Sequence, residues 1–401
     1  MRLRQESLKN VTLLIKRGIA PKYVKDEGVC IINQKCVRDG RVDFSPSRLT
    51  HTNTKIAPEK YLQEGDILVN STGTGTLGRT AFFLDQKGSR GATVDTHVTI
   101  VRADQKKVAP RYLAYLMRLK EPSIVNMARG ATNQIELSAV NLGELQVWLH
   151  DLLAQYRIAS VLSAYDDLIE NNRRRIQLLE QAARLLYKEW FVHLRFPGHE
   201  HTPIVDGVPE GWEKKTAFEV MDVLSGGTPK TTNPSYWDGD IPFFTPKDAT
   251  DFAYAHDTEK SITEAGLKNC NSNFYPKDTV FITARGTVGK TNLAQRPMAM
   301  NQSCYALVAH PPLNQQFLYF ALVDGVEQFR SRAVGAVFDA IVRDTFKLIP
   351  FVVPDEKLIT AFMEHVFPML AQIDNLSGQI RILRKARDLL LPKLMNGEVA
   401  V

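Results

Sequence analysis

Two stretches of the chain repeat apolar residues at helical spacing for longer than a surface helix needs. Leu162, Ile169, Ile176, Ala183 and Trp190 recur every seven residues, and Tyr165, Asn172, Leu179 and Leu186 form a second track three positions later. This is an a/d seam sustained for four heptads, the pattern by which one helix packs along another. The pattern returns 204 positions on, through Ile373, Leu376, Ile380, Leu383, Arg387 and Leu390, with Ile169 matching Ile373 and Leu179 matching Leu383. Charged residues such as Arg174, Arg175, Glu180, Arg381 and Lys385 fill the outer positions. Two such stripes at equivalent places predict helices that pair with each other, and Asn172 on the seam should fix their register at some cost in stability. Pro197-Gly198 is expected to stop the first helix, and Pro392 to kink or end the second.

The remaining chain has a shorter period. Runs rich in Val, Ile, Phe and Thr, broken by Gly, Pro and Asp, predict strands at 29–33, 66–70, 94–102, 280–283 and 304–309. A helix is expected late in each half, at 110–119 and 315–325. The fold class this predicts is α+β, mixed and mostly antiparallel. His199-Glu-His-Thr-Pro203 reads as a polar linker rather than a metal site.

The strand-rich parts are also written twice. Residues 75–80 read GTLGRT and residues 286–291 read GTVGKT, each after an acidic residue and an apolar run (Asp66-Ile-Leu-Val69; Asp278-Thr-Val-Phe-Ile282). Upstream, Lys16-Arg17-Gly18 matches Ser225-Gly226-Gly227, and the run ending at Lys35 matches the run ending at Lys247. Downstream, 112–116 matches 317–321, and Arg129-Gly130-Ala131 matches Val334-Gly335-Ala336. Register kept over so much sequence predicts two homologous halves, each a globular part followed by a helix.

Composition narrows the function. Fifty basic against 44 acidic residues give a net charge of +6, compatible with nucleic acid but far from a basic tail. Residues 151–197 and 355–401 together carry only +1 of it, so the excess lies in the globular parts. No apolar run is long enough to span a membrane and MRLRQESLKN has no apolar signal core, which predicts a cytoplasmic protein. Cys30, Cys36, Cys270 and Cys304 lack metal-ligand spacing and are expected to be reduced thiols.

Three stretches imitate enzyme motifs. Gly73-Thr-Gly75-Thr-Leu-Gly78-Arg79-Thr80 fits G-x-G-x-x-G and nearly fits a P-loop, but a phosphate cradle needs a helix at once, and a short strand is predicted instead. The second copy keeps a lysine, Lys290, but loses the first glycine. Asn233-Pro234-Ser235-Tyr236 resembles an amino-methyltransferase motif, yet no glycine-rich S-adenosylmethionine turn accompanies it, and a proline turn is the better reading. Asp355-Glu356-Lys357 lacks nuclease spacing and suits the first turn of a helix.

What remains is a pair of binding loops. Thr72, Thr74, Thr76 and Arg79 alternate with glycines in the first copy, and Arg285, Thr287, Lys290 and Thr291 stand in the second. Lys35 and Lys247 occupy equivalent loops. Glycines allow close backbone approach, hydroxyls and amides reach phosphates, and Arg or Lys reads guanine edges. A Thr/Gly loop with one cation can be a plain solvated turn; its retention in both halves favours function.

The duplicated plan, the repeated G-T-[LV]-G-[RK]-T loop, the closing Leu389-Leu-Leu-Pro-Lys393-Leu-Met-Asn-Gly397-Glu398, and Gly211-Trp212 followed by Leu224-Ser-Gly-Gly-Thr-Pro229 resemble the specificity subunits of Type I restriction–modification systems. The resemblance covers essentially the whole chain, although no Gly-Trp precedes Val11-Thr-Leu13. It implies two homologous mixed α/β target-recognition domains separated by two long antiparallel coiled-coil helices: 1–150, helix 151–197, linker and second domain 198–353, helix 354–401. It also implies a non-catalytic subunit that binds double-stranded DNA, two methyltransferase subunits and restriction/translocase subunits, with no membrane partner. By the same resemblance it would bind no cofactor itself; S-adenosylmethionine would belong to the methyltransferase partner, and ATP and Mg to the restriction partner. The DNA-facing residues would be Lys35, Thr72, Thr74, Thr76, Arg79, Lys247, Arg285, Thr287, Lys290 and Thr291. The helix-pairing or subunit-facing residues would be Leu162, Ile169, Asn172, Ile176, Leu179, Leu186, Ile373, Leu376, Ile380, Leu383 and Leu390. A coiled-coil protein-interaction scaffold and a self-contained methyltransferase are the alternatives.

Overall fold

In the computed structural model, residues 3–84, 91–129, 135–332 and 340–401 are described. Apart from Arg129, the expected match of 129–131 with 334–336 lies outside them. The chain divides into two compact units, Met1–Leu168 with Ile382–Val401, and Ile169–Arg381.

In the first unit, six strands form one sheet in the order Thr12–Arg17, Val98–Ala103, Ile67–Asn70, Thr80–Phe82, Gly40–Val42, Val37–Arg38. Neighbours are antiparallel except Gly40–Val42, which lies parallel to Thr80–Phe82. A smaller sheet pairs Gly28–Ile32 in parallel with Ala92–Val94 and antiparallel with Arg48–His51. Arg4–Ser7 pairs with Gln146–Leu149. The central strands read as unbroken apolar runs, which fits burial on both faces: Ile67, Leu68 and Val69 are all fully buried.

The second unit repeats this plan. Met221–Ser225, Cys304–Ala309, Val280–Thr283, Thr291–Ala294 and Tyr254–Ala255 follow in the same order as the first five strands there, again with only the fourth pair parallel. Trp237–Phe244 pairs in parallel with Ala299–Met300 and antiparallel with Lys260–Ile262, and Glu213–Thr216 pairs with Pro350–Val353. A glycine marks the same place in both, Gly18 and Gly226, one residue away from the match of Gly18 with Gly227 expected from sequence. A Cβ on Gly18 would lie 2.0 Å from the Val94 carbonyl oxygen, and one on Gly226 would lie 2.2 Å from that of Asn301. The expected run at 94–102 is therefore two strands, Ala92–Val94 and Val98–Ala103, separated by a turn over that glycine. The helix expected at 315–325 continues to Arg332.

Two long helices follow the globular elements, Leu152–Tyr187 and Glu356–Met395, and the unit boundary falls inside both. Pro197 does not stop the first. It ends in a π turn, Lys188–Val192, closed by Leu194 at φ 59° and by the Arg195 N–H donating to the Glu189 carbonyl at 2.8 Å. Pro392 does not stop the second either; it lies in the last turn and the helix runs three residues further. Asp355 precedes that helix and accepts from the Lys357 N–H at 2.8 Å. Inside the second unit the helices run antiparallel: Asn172 donates to Gln379 at 3.1 Å, and the Trp190 and Phe362 rings lie 5.9 Å apart. Inside the first unit the same sense holds, from His150 near the Leu394 and Met395 carbonyls to Asp166 beside Arg387.

The buried track departs from strict heptads. Leu162, Ile169, Asn172, Ile176 and Ala183 are buried, but Leu179 and Leu186 are half-buried, and Glu180 and Tyr187 take the inner positions. Ile373, Leu376 and Ile380 are buried, Leu383 and Leu390 are half-buried, and Arg387, Leu391 and Leu394 are buried. An α-helix drifts about 20° per heptad against a seven-residue repeat. Over four heptads the inner face therefore moves from one track to its neighbour, as from Leu179 to Glu180.

Candidate nucleic-acid interface

In each unit, the repeated loop joins two antiparallel neighbours of the main sheet and leads into a strand, Thr80–Phe82 or Thr291–Ala294, not into a helix. It is pinned alike at both ends. Asn70 N–H donates to Arg79 O at 2.9 Å and Gly78 N–H to Asn70 O at 2.8 Å. Thr283 N–H donates to Lys290 O at 2.9 Å and Gly289 N–H to Thr283 O at 2.7 Å. These bonds equate 70 with 283 and 78 with 289, so the first loop is two residues longer. Gly73 and Gly78 have φ of 101° and 83°, and Cβ atoms there would strike Thr76 Oγ1 at 2.5 Å and Val125 at 2.6 Å. Glycine is thus required on backbone and steric grounds.

The Lys35 turn meets this loop in the first unit. Asn33 caps the 3-10 turn Gln34–Cys36 by accepting from the Lys35 N–H at 2.8 Å, and Asn70 Nδ2 donates to Gln34 O at 3.0 Å. The Gln34 Oε1, buried beside Gly73, has no partner among the described residues. In the second unit the Lys247 turn meets its loop the same way, with Thr287 Oγ1 donating to Pro246 O at 3.5 Å.

The predicted residues divide by what they already bind. Lys35, Thr74 and Arg285 are exposed and have no side-chain partner among the described residues. Arg79 is exposed, with Nη2 donating to Gly75 O at 2.8 Å. Lys247 pairs with Glu259 at 3.5 Å, and Lys290 with Asp251 at 2.7 Å. Thr76 spends its hydroxyl on the Thr72 and Gly73 carbonyls at 3.3 Å. Thr291 lies in a strand with a buried, unpartnered Oγ1, so its hydroxyl does not face a ligand with the loop.

Sequence reasoning missed a third segment. The turns 95–97 and 301–303 are clamped onto the loop starts, Ser71 N–H donating to His97 O and Ala284 N–H to Ser303 O, each at 2.8 Å. Asp95 Oδ1 accepts from the His97 N–H at 2.9 Å, and Asn301 Oδ1 from the Ser303 N–H at 3.0 Å. Burial pushes the Asp95 carboxyl above its ordinary value, and the His97 N–H partly offsets this. A polar residue two places before a hydroxyl or imidazole (Asp-Thr-His, Asn-Gln-Ser) was the available signal, too weak to read without the glycine beneath it. Arg17 adds a brace, its guanidinium pairing with Glu136 and reaching the Ser71 and Leu137 carbonyls at 3.4 Å. Asn233 caps a 3-10 turn, Pro234–Tyr236, so the methyltransferase-like string is a turn. Among the described residues no group of three or more His, Cys, Asp or Glu could hold a metal ion, and no helix is long and apolar enough to cross a membrane.

The sequence profile for the Type I restriction modification DNA specificity domain matches this chain twice, at residues 31–181 and 209–375. The chain belongs to this family. Each match covers one copy of the pinned loop together with much of the helix that follows it. Among its relatives, the Type I restriction enzyme HindI specificity subunit of Haemophilus influenzae is 22% identical across 87% of this chain and 90% of its own length. A putative Type I restriction enzyme MjaX specificity subunit of Methanocaldococcus jannaschii is 22% identical across 98% and 93%. The crystal structure of a Type I restriction–modification S subunit from M. genitalium superposes with a TM-score of 0.58 at 17% identity, covering 98% of this chain and 96% of that one, and so shares the fold.

Proposed function

We infer that this chain is the sequence-specific, double-stranded DNA-binding specificity subunit of a Type I restriction–modification complex. Each globular domain reads one half of an asymmetric bipartite site. The observation that carries this is the pair of loops: one strand order and one set of backbone clamps, but different loop lengths and different exposed side chains. A shared frame with unlike reading edges suits two unlike half-sites, because base contacts and not phosphate contacts specify sequence.

The long helices set the distance between half-sites and dock two methyltransferase subunits. Leu178 and Leu185 in one unit, and Ile382 and Leu389 in the other, are exposed apolar residues 204 positions apart. An apolar stripe written twice suits two copies of one partner. Methyl transfer and cleavage fall to the partner subunits, and S-adenosylmethionine and ATP bind there. The test is to assemble the chain with its methyltransferase subunit and map methylated adenines. The expected result is a split, non-palindromic site that is lost without this chain. A scaffold that binds only proteins would leave the methylation pattern unchanged on its removal.

A further inference from the structure

We propose that the turns 95–97 and 301–303 are reading edges in their own right, with His97 and Gln302 as specificity-determining residues, each contacting the N7 edge of a purine in a different half-site. This rests on the DNA-reading role inferred above and adds to it a pair of residues outside the repeated loop.

The backbone of each turn is held from three sides. Its last carbonyl accepts the N–H that opens the repeated loop, its first side chain caps its own last N–H, and a glycine packs beneath it. The Cβ positions of Gly18 and Gly226 fall 2.3 Å from the Asp95 oxygen and 2.2 Å from the Asn301 oxygen, so neither turn can sink or slide. A side chain on such a turn starts from a fixed point and costs little to order on binding.

Each of the two side chains is exposed and also tethered at one atom. His97 Nδ1 lies 2.7 Å from Thr72 Oγ1 in the repeated loop. Gln302 Oε1 accepts from Thr228 Oγ1. The Nε2 atom of each side chain has no partner among the described residues. Each domain therefore offers one oriented nitrogen beside its loop, whereas Lys247 and Lys290 lie beside the exposed carboxylates of Glu259 and Asp251. In the reading arrangement the Thr72 hydroxyl donates to Nδ1, and the ring proton sits on Nε2, available to a purine N7. The Gln302 amide keeps two N–H donors and a spare lone pair on Oε1, the set that matches adenine N7 and N6. The two edges present different chemistry on equivalent turns, which is what unlike half-sites require.

The test uses the complete complex of this chain with its methyltransferase subunits and competitor duplexes that carry a single 7-deazapurine at each purine of the site in turn. For the unaltered complex, one purine in each half-site should lose affinity roughly 5- to 150-fold on loss of N7. His97→Ala should lose a similar factor on normal DNA and become indifferent to 7-deaza substitution at the first-domain purine only; Gln302→Ala should do so at the other. Thr72→Val and Thr228→Val keep the reading side chain but free it, and should weaken the same single positions. Variants that keep full sensitivity at every purine, or lose affinity evenly at all positions with a reduced salt slope, would overturn the assignment. If the unaltered complex itself discriminated no sequence, the DNA-reading role would fall first.

Discussion

Arg387 and Asp166 form an ion pair at 2.5 Å in which the arginine side chain is 6% exposed, while the residues 204 positions away, Ala183 and Leu370, are apolar and buried. One unit thus holds a charged pair where its repeat holds hydrocarbon. Asp166 also accepts from the Tyr115 hydroxyl at 2.5 Å. Asp166 is 26% exposed and Arg387 also pairs with Asp388 at 2.8 Å, so losing one partner should cost less than the ~3–5 kcal/mol of a fully buried pair, whereas an apolar replacement of both is often neutral. Arg387→Leu should therefore destabilise the chain by roughly 1–3 kcal/mol. The double change Asp166→Leu with Arg387→Ala, which copies the other unit, should recover most of this in denaturant melts.

The same asymmetry bears on a chain cut after residue 200. Two copies could pair their first helices antiparallel by two-fold symmetry, but Asp166 of each would then face Ala183 of the second copy, and Asn172 would face Arg175. Pairing should be weak in the unaltered fragment and restored by Asp166→Leu. With the methyltransferase subunit, the restored dimer should methylate a palindrome of the first half-site. Methylation of only the parental asymmetric site would contradict two equivalent units.

Half-site ownership follows from the loops. Arg79→Ala should relax one half-site and Arg285→Ala the other, each by about 1–3 kcal/mol if a base contact is lost. Lys290→Ala should do less, because Asp251 already holds that ammonium. Binding selections on randomised duplexes would show either change; an effect on both halves at once would break the assignment.

Glu180 provides a pH test. Burial raises its carboxyl to about 7, opposed by the Ala253 N–H it accepts and by Arg184, while Asp251 adds to the rise. The folded state thus favours the protonated form. Its stabilising contribution is present below the ordinary carboxylate range and is lost as pH climbs toward about 7. Glu180→Gln should keep the bond to Ala253 and flatten this loss, so the gap in melting temperature between variant and parent should widen from pH 5 to pH 8. A constant gap would show that Glu180 ionises normally.

The two packing glycines should be intolerant. Gly18→Ala and Gly226→Ala place a methyl against backbone oxygen, which cannot rotate away. Each should destabilise by roughly 3 kcal/mol or more and impair the half-site read by its own domain. Gly75→Ala, with no atom within 4 Å of its Cβ, should cost much less, mainly from its φ of 75°.

Much of this architecture was legible in one dimension. Apolar periodicity is local, so Leu162, Ile169 and Ile176 announced a long helix, and Val280–Thr283 and Cys304–Ala309 were visible as strands. The duplication was legible because Gly78 and Gly289 are each held at positive φ, and few other residues tolerate it. The tertiary structure decided what depends on neighbours distant in the chain. Helical drift brought Glu180 and Tyr187 inward in place of Leu179 and Leu186, because only the packed partner fixes which face is buried. Which cations have a carboxylate beside them was decided by Asp251 and Glu259, 39 and 12 positions from the lysines they pair with. The turns at His97 and Gln302 joined the loops only through backbone hydrogen bonds from Ser71 and Ala284, and such bonds leave no mark on side-chain sequence.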